Sequence, residues 1–311
     1  MIESQAPPID IALVTYRGAP GLDPDDEPLA RALAARGIAC APVPWDMAGF
    51  DWSSPRIALL RSTWDYHHRY QEFLAWARAT AAGTTLLNPL AVIEWNTHKG
   101  YLAELAARGA PVVPTVLVKA GQPCDLSQLL AERGWERAVV KPAISADSFA
   151  TLRVEAQEPG PGAAHLAQYG VERDMMIQPF LESVETTGER CLVFIGGELT
   201  HAVRKNSLFR GGRHVGPEGI AVPPEPDEIA AARRVLAVAG CEDLLYARAD
   251  LARDAQGAPI LLELELVEPT LFLLESASGA DKLATALDAR LNPNLNPSPE
   301  PARRPGDPDV R

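Results

Sequence analysis

Two apolar stretches joined by a six-residue connector constrain this chain more than any other feature. Residues 244–253 and 260–267 flank residues 254–259, where Asp254, Gly257 and Pro259 supply the turn chemistry of an antiparallel pair. Side chains in a strand alternate faces with period two. Leu245, Ala247, Ala249 and Leu251 therefore share one side of the first strand, and Ile260, Leu262, Leu264 and Leu266 one side of the second. With those faces packed on a core, Tyr246, Arg248 and Asp250 lie beside Leu261, Glu263 and Glu265 on the other.

Three carboxylates so placed repel one another by several kcal/mol unless a cation intervenes. Without cysteine or paired histidine nearby, Asp250, Glu263 and Glu265 suit a hard, oxygen-liganded ion such as Mg²⁺, with Mn²⁺ as a substitute. A solvated sheet face would show the same alternation, so this hairpin alone does not decide between the two. Magnesium held by two or three carboxylates usually keeps coordination positions open for nucleotide phosphates, which directs attention to a phosphate grip. No G-x-x-x-x-G-K-[ST] or G-x-G-x-x-G occurs, which removes the basis for P-loop, protein-kinase and Rossmann readings.

The lysines become the candidates. The chain has five, Lys99, Lys119, Lys141, Lys205 and Lys282, among 29 basic residues. Lys141 ends the apolar run 137–142 and Lys99 falls in the first turn of a helical pattern over 97–108, so either could reach a phosphate on its flexible stem. The net charge of −12, with no basic patch, argues against nucleic-acid and anionic-membrane partners. Cys40, Cys124, Cys191 and Cys241 are far apart and form no C-x-x-C, which fits reduced thiols better than a disulfide framework or a zinc site. The N-terminal residues lack a basic n-region and an apolar h-region, and no apolar run approaches the roughly 20 residues of a membrane span, so a cytoplasmic protein is expected.

Along the chain, strand-like runs at 9–16, 39–45 and 56–61 alternate with helical spacing at 27–36 and 70–82, which predicts a small parallel α/β sheet over residues 1–90. Ligands of such sheets sit outside the carboxyl ends of the strands. Two loops leave such ends, residues 17–26 and Arg61-Ser-Thr-Trp-Asp-Tyr66, and the second combines a guanidinium with hydroxyls, a carboxylate and aromatics, so Arg61 is a candidate to pin a substrate anion. A helix N-cap with a packed Trp64 is the competing reading. A boundary is placed near residue 90, after Asn88-Pro89. Beyond it, 112–118 is extended, and the runs 175–181, 190–195 and 199–204 suggest an antiparallel sheet, followed by a helix over 226–239 that stops at Gly240. The Pro- and Asn-rich residues 292–311 read as a disordered tail.

In order, Lys99, Val-Val-Lys141-Pro, Met-Ile-Gln178-Pro-Phe-Leu, Glu-Arg190-Cys-Leu-Val-Phe, Ala-Arg-Ala-Asp250 and Glu263-Leu-Glu265 resemble the ATP-grasp superfamily over most of residues 1–290. The stretches Leu60-Arg-Ser-Thr-Trp-Asp-Tyr66, Glu94-Trp-Asn-Thr-His-Lys-Gly-Tyr-Leu102, His201-Ala-Val-Arg-Lys205 and Leu264-Glu-Leu-Val-Glu-Pro-Thr-Leu-Phe272 resemble the branch that holds O-ureido-serine cyclo-ligase of cycloserine biosynthesis, related more distantly to glutathione synthetase. The resemblance implies an α/β chain with an α+β lid. An N-terminal domain (1–90) would precede a lid subdomain (91–180) and a C-terminal subdomain with the metal site (181–291).

It further implies that Lys99 and Lys141 hold ATP phosphates and that Gln178, Phe180 and Leu181 line adenine. Glu185 would contact ribose, with Glu182 as its competitor, and Asp250, Glu263 and Glu265 would bind Mg²⁺. Glu265 stands where the superfamily commonly has Asn, and residues 206–213 depart from the usual text of the branch, where substrate would be read. The activity implied is an ATP-dependent ligase that activates a small amino-acid-like carboxylate as an acyl phosphate. Arg248 and Lys205 would stabilise its oxygens and Arg61 would hold the acceptor's anion. A non-catalytic or regulatory ATP-binding protein of the same fold is the alternative, phosphotransfer without ligation is a third reading, and a homo-oligomer remains open.

Overall fold

The structure, a computed structural model, describes residues 9–146, 148–205 and 219–292. Residues 206–213 and the tail beyond Asn292 lie outside the described residues.

Strands β1 (Ile11–Thr15), β2 (Cys40–Pro44), β3 (Ile57–Leu60) and β4 (Thr85–Leu87) form a parallel sheet in the order β2-β1-β3-β4. Its central strands β1 and β3 are apolar and buried on both faces, as a sheet covered on both sides requires. One face takes α1 (Glu27–Ala34), through Leu29 and Leu33, and the other takes α2 (Tyr70–Ala81), through Phe73, Leu74 and Ala77.

Of the helical pattern expected over 97–108 only α4 (Tyr101–Ala107) is helix, and a separate helix, α3 (Leu90–Asn96), precedes it. Thr97 turns its hydroxyl back onto the Ile93 carbonyl (2.8 Å), and the Lys99 N–H donates to the Ala143 carbonyl (2.8 Å) instead of into a helix. With the poor helix former Gly100 following, α4 starts only at Tyr101, and Lys99 stands on the step between α3 and α4.

Strand β5 (Val116–Val118) begins a second sheet. Helix α5 (Leu126–Arg133), strands β6 (Arg137–Pro142) and β7 (Leu152–Glu155), helix α6 (Gly160–Tyr169) and strand β8 (Met175–Pro179) complete it in the antiparallel order β5-β8-β6-β7. Both helices lie on one face, where Leu126, Leu130 and Leu166 meet Ala138, Val140 and Ile177.

After the short helix α7 (Glu182–Thr186) come strands β9 (Glu189–Ile195), β10 (Glu198–Lys205) and β11 (Gly219–Val222), helix α8 (Pro226–Ala239) and strands β12 (Tyr246–Arg253) and β13 (Pro259–Glu265). They form a five-stranded antiparallel sheet in the order β11-β10-β9-β12-β13. The runs at 175–181, 190–195 and 199–204 thus do not share one sheet. Helix α7 carries the chain across, so β8 joins the second sheet while β9 and β10 join the third.

Helix α8 starts with Pro226 at its first turn and a Glu225–Glu228 capping box, and it stops at Gly240, whose φ of 70° suits a residue without Cβ. It covers one face of the third sheet together with α4. The other face is shared. Cys191, Val193, Ile195 and Tyr246 pack toward the first sheet and α9 (Gly279–Leu291), while the part bearing Arg248 and Asp250 faces the second sheet across a cavity.

Candidate active site

The cavity holds about 520 Å³. Its apolar end is a slot between the second and third sheets, walled by Val139, Pro179, Phe180, Leu181, Val184 and Leu262. Strand β6 supplies one wall by alternation: Ala138 and Val140 point into the core under α5 and α6, and Val139 and Lys141 point into the cavity. Gln178 lines the slot and donates its side-chain amide to Thr115 Oγ1 (2.9 Å).

At the polar end stand three of the five lysines, Lys99, Lys141 and Lys205, with Arg248, Asp250, Glu263 and Glu265. The hairpin pairs β12 and β13 so that Arg248 sits opposite Glu265 and Asp250 opposite Glu263. Arg248 grips both oxygens of Asp250 (2.8 Å each), bonds Glu265 Oε1, and donates to the Thr270 carbonyl (2.9 Å). Lys205 bridges Asp250 (2.8 Å) and Glu189 (3.0 Å), and Lys99 meets Glu263 (3.1 Å) as well as Ser145.

The electrostatics follow from this pairing. Burial works against the charge on Asp250, but Arg248 and Lys205 outweigh it and hold the carboxyl well below its usual range. Burial likewise opposes ionisation of Glu263, and Lys99 and Lys141 pull it down. Glu265 is left behind: burial, with Asp250 and Glu263 adding to it against Arg248, pushes it up to about 7. Glu268 is pushed up to about 8, by burial and then by Glu265. Burial also lowers the Lys141 ammonium.

The donor set suits a hard cation, because it consists of carboxylate oxygens. Glu263 and Glu265 each meet their cation through Oε1 and among the described residues present a second oxygen. Asp250, expected as a third ligand, has both oxygens already taken by Arg248 and Lys205. Among the described residues no group of three His, Cys, Asp or Glu side chains encloses an ion as they stand.

Arg61 is not in the cavity. Its guanidinium is buried, pairs with Asp26 through Nε (2.7 Å), donates to the Pro269 carbonyl (3.1 Å) and lies over the Tyr246 ring. An anion-pinning arginine needs donors facing substrate, whereas these are buried away from the cavity, with Nη1 left without a hydrogen-bond partner among the described residues. Glu185 is also turned away, paired with Arg153 (2.8 Å), and its competitor Glu182 is paired with Arg137, so Val184 alone of α7 reaches the slot. Leu261 and Leu262 exchange the places given by simple alternation. A bulge makes Asp250 oppose Glu263 but Leu251 oppose Leu261, which drops Leu261 into the core and leaves Leu262 in the slot.

Several lining residues are not singled out by the sequence, although Asp23 and Trp64 lie on the two loops it marks as leaving the carboxyl ends of strands. Glu189, Glu268, Thr270 and Phe272 line the polar end, with Trp64 and Asp23 from the first domain and Ser145, Ser148 and Thr151 from the β6–β7 connection. Glu189 had a signal, since it is two residues before Cys191 and Cys191 lies opposite Asp250. Glu268 had none, because the strand ends at Glu265 and alternation ceases with it.

These features can be set beside known proteins. The family described as D-cycloserine synthetase DcsG, N-terminal domain, matches residues 11–88. Over 296 residues the chain is 35% identical to the cycloserine biosynthesis protein DcsG of Streptomyces lavendulae, covering 91% of this chain and 99% of that protein. The crystal structure of D-cycloserine synthetase DcsG matches with a TM-score of 0.83 at 34% identity, over 90% of this chain and 99% of that one. The fold is shared with the ATP-grasp ligase PsnB, solved with a precursor peptide and AMPPNP (TM-score 0.60, 17% identity, 91% of this chain and 98% of that one). It is shared too with D-alanine–D-alanine ligase from Bacillus anthracis (TM-score 0.62, 14% identity, 91% and 97%). With the α/β architecture, the cavity between two antiparallel sheets and this extent of identity in agreement, the chain belongs to the DcsG family and has the fold of the ATP-grasp ligases.

Proposed function

We propose that the chain uses ATP to activate the carboxylate of a small amino-acid-like substrate as an acyl phosphate, which a nitrogen nucleophile of the same molecule then attacks to close a ring. The carrying observation is the convergence of Lys99, Lys141, Lys205 and Arg248 with Glu263 and Glu265 at one end of an apolar slot. The identity to a protein named D-cycloserine synthetase supports the cyclising mode.

In this reading Val139, Phe180, Leu181 and Leu262 hold the adenine and exclude water, and Gln178 borders it. Lys99 and Lys141 hold phosphate oxygens as point charges. Glu263 and Glu265 would hold Mg²⁺, which when bound would neutralise charge on the phosphates. The substrate carboxylate attacks the γ-phosphorus, the bond to the β-phosphate oxygen breaks, and ADP leaves. Arg248 and Lys205, both fixed by Asp250, face the acyl phosphate oxygens, where charge develops in each step. The nitrogen then attacks the carbonyl carbon and phosphate departs with the C–O bond pair.

The test is ADP release with Mg²⁺ and a panel of amino acids that includes O-ureidoserine, with products weighed by mass spectrometry. A product lighter than its substrate by one water is expected. Lys141→Ala and Glu263→Ala should each cost on the order of 10²–10³ in kcat, the scale of losing one electrostatic contact to a transition state. Wild-type turnover in both variants would end the proposal.

A further inference from the structure

Four cavity carboxylates, Glu189, Asp250, Glu263 and Glu265, are paired with a lysine or arginine. Asp23 and Glu268 also line the cavity, and among the described residues neither has an ion-pair partner. They come from opposite sides. Asp23 caps the 3-10 turn Pro24–Asp26, where its Oδ1 accepts from the Asp25 N–H (2.9 Å), and Glu268 lies on the turn after β13.

Their placement is built rather than incidental. Arg61 bonds Asp26, on the turn that Asp23 caps, and the carbonyl of Pro269, next to Glu268. Trp64, itself a cavity residue, donates its indole N–H to the Glu268 carbonyl (3.1 Å), and the Asp25 carboxylate accepts from the Leu274 N–H (3.2 Å). Three links thus bolt the first domain's turn to the turn after β13. The buried Arg61 ion pair has its use here, holding two acidic turns at one end of a cavity whose other acids each have a lysine or arginine partner.

We propose that Asp23 and Glu268 form the subsite for the cationic amino group of the substrate, so that the enzyme selects a free, protonated α-amine. This rests on the ligase reading above. Arg248 and Lys205 face the carboxylate of such a substrate, and Asp23, with Glu268 giving up its proton to solvent as the ammonium arrives, complements the opposite charge, with the Trp64 and Phe272 rings as walls. An N-acylated or deaminated substrate loses the charge that this end of the cavity complements.

The experiment measures steady-state kinetics of wild type, Asp23→Asn and Asp23→Glu on the best amino acid of the panel and on its deamino counterpart, with ATP binding measured in parallel. For Asp23→Asn the KM for the amino acid should rise on the order of tenfold to a hundredfold, the scale of a lost charged hydrogen bond. ATP affinity should stay within about twofold, Asp23→Glu should recover part of the loss, and the deamino compound should not distinguish Asn from Asp. Equal losses on the two compounds, or an unchanged KM on the amino acid, would overturn the subsite and leave the ligase reading standing. Absence of ADP release by the wild type on every panel member would overturn both.

Discussion

At the scale of single residues, chemistry was legible where a residue type was scarce and hidden where its partner was distant. With only five lysines in the chain, Lys99, Lys141 and Lys205 stood out, and all three line the cavity. Arg61 stood out for the wrong reason. A guanidinium after a parallel strand reads the same whether it meets substrate or an internal acid, and Asp26 lies 35 residues away in sequence. Burial of the pair makes a sharp prediction. Arg61→Met leaves the Asp26 carboxylate buried without its counter-charge, which costs about 3–5 kcal/mol of stability when one partner of a buried pair is removed. Burial already pushes that carboxyl upward against the pull of Arg61. Urea unfolding measures the loss, and a variant as stable as wild type would contradict the structural role.

At the scale of elements, the strand that carries Glu263 and Glu265 is an edge strand, and its outer backbone groups are satisfied by the α3–α4 region. Asn96 donates to the Leu264 carbonyl (2.8 Å) and accepts from the Leu266 N–H (2.9 Å). The Tyr101 hydroxyl meets Leu264 from the same side, and Pro111 and Val113 pair with Leu261. Buried backbone groups must find partners, so these bonds fix the line of β13 and with it where its acids point. Asn96→Ala removes a donor and an acceptor at once and should cost roughly 2 kcal/mol or more, since each orphaned buried group costs about 1–3 kcal/mol. Thermal unfolding should record that loss together with a raised KM for ATP; a stability unchanged within error would dismiss the edge-strand argument.

Hairpins were readable from turn residues and alternation, but register was not, because bulges shift it. Counting back from the Gly196-Gly197 turn pairs Glu189 with Arg204, whereas a bulge between Leu199 and His201 brings Lys205 opposite Glu189 and into the cavity. The bulge in β13 likewise exchanges Leu261 and Leu262. A bulge answers to packing across the sheet, which a single strand's sequence does not display.

At the scale of the whole molecule, the cavity gathers more acid than base among the described residues, with six carboxylates against three lysines and one arginine. Glu265 and Glu268, held up to about 7 and about 8, carry the excess. A carboxyl raised above its unfolded value of 4.5 contributes stability that is full below that value and lost as pH rises through the folded value. His67 works the other way. Lowered from 6.5 to about 4 by burial and then by His68, it contributes stability that is full above 6.5 and lost as pH falls toward 4. Between pH 6.5 and 8 the glutamates therefore act without opposition from His67, and the ligand-free protein should lose melting temperature across that interval. Mg²⁺ with a non-hydrolysable ATP analogue favours the ionised carboxylates and should flatten the fall, as should Glu265→Gln in the ligand-free state. Melting curves at half-unit steps of pH, with and without Mg²⁺ and the analogue, measure this directly. A flat profile without ligand would mean that these carboxyls are not held up, and a fall that the metal leaves untouched would mean that Glu265 does not meet the cation.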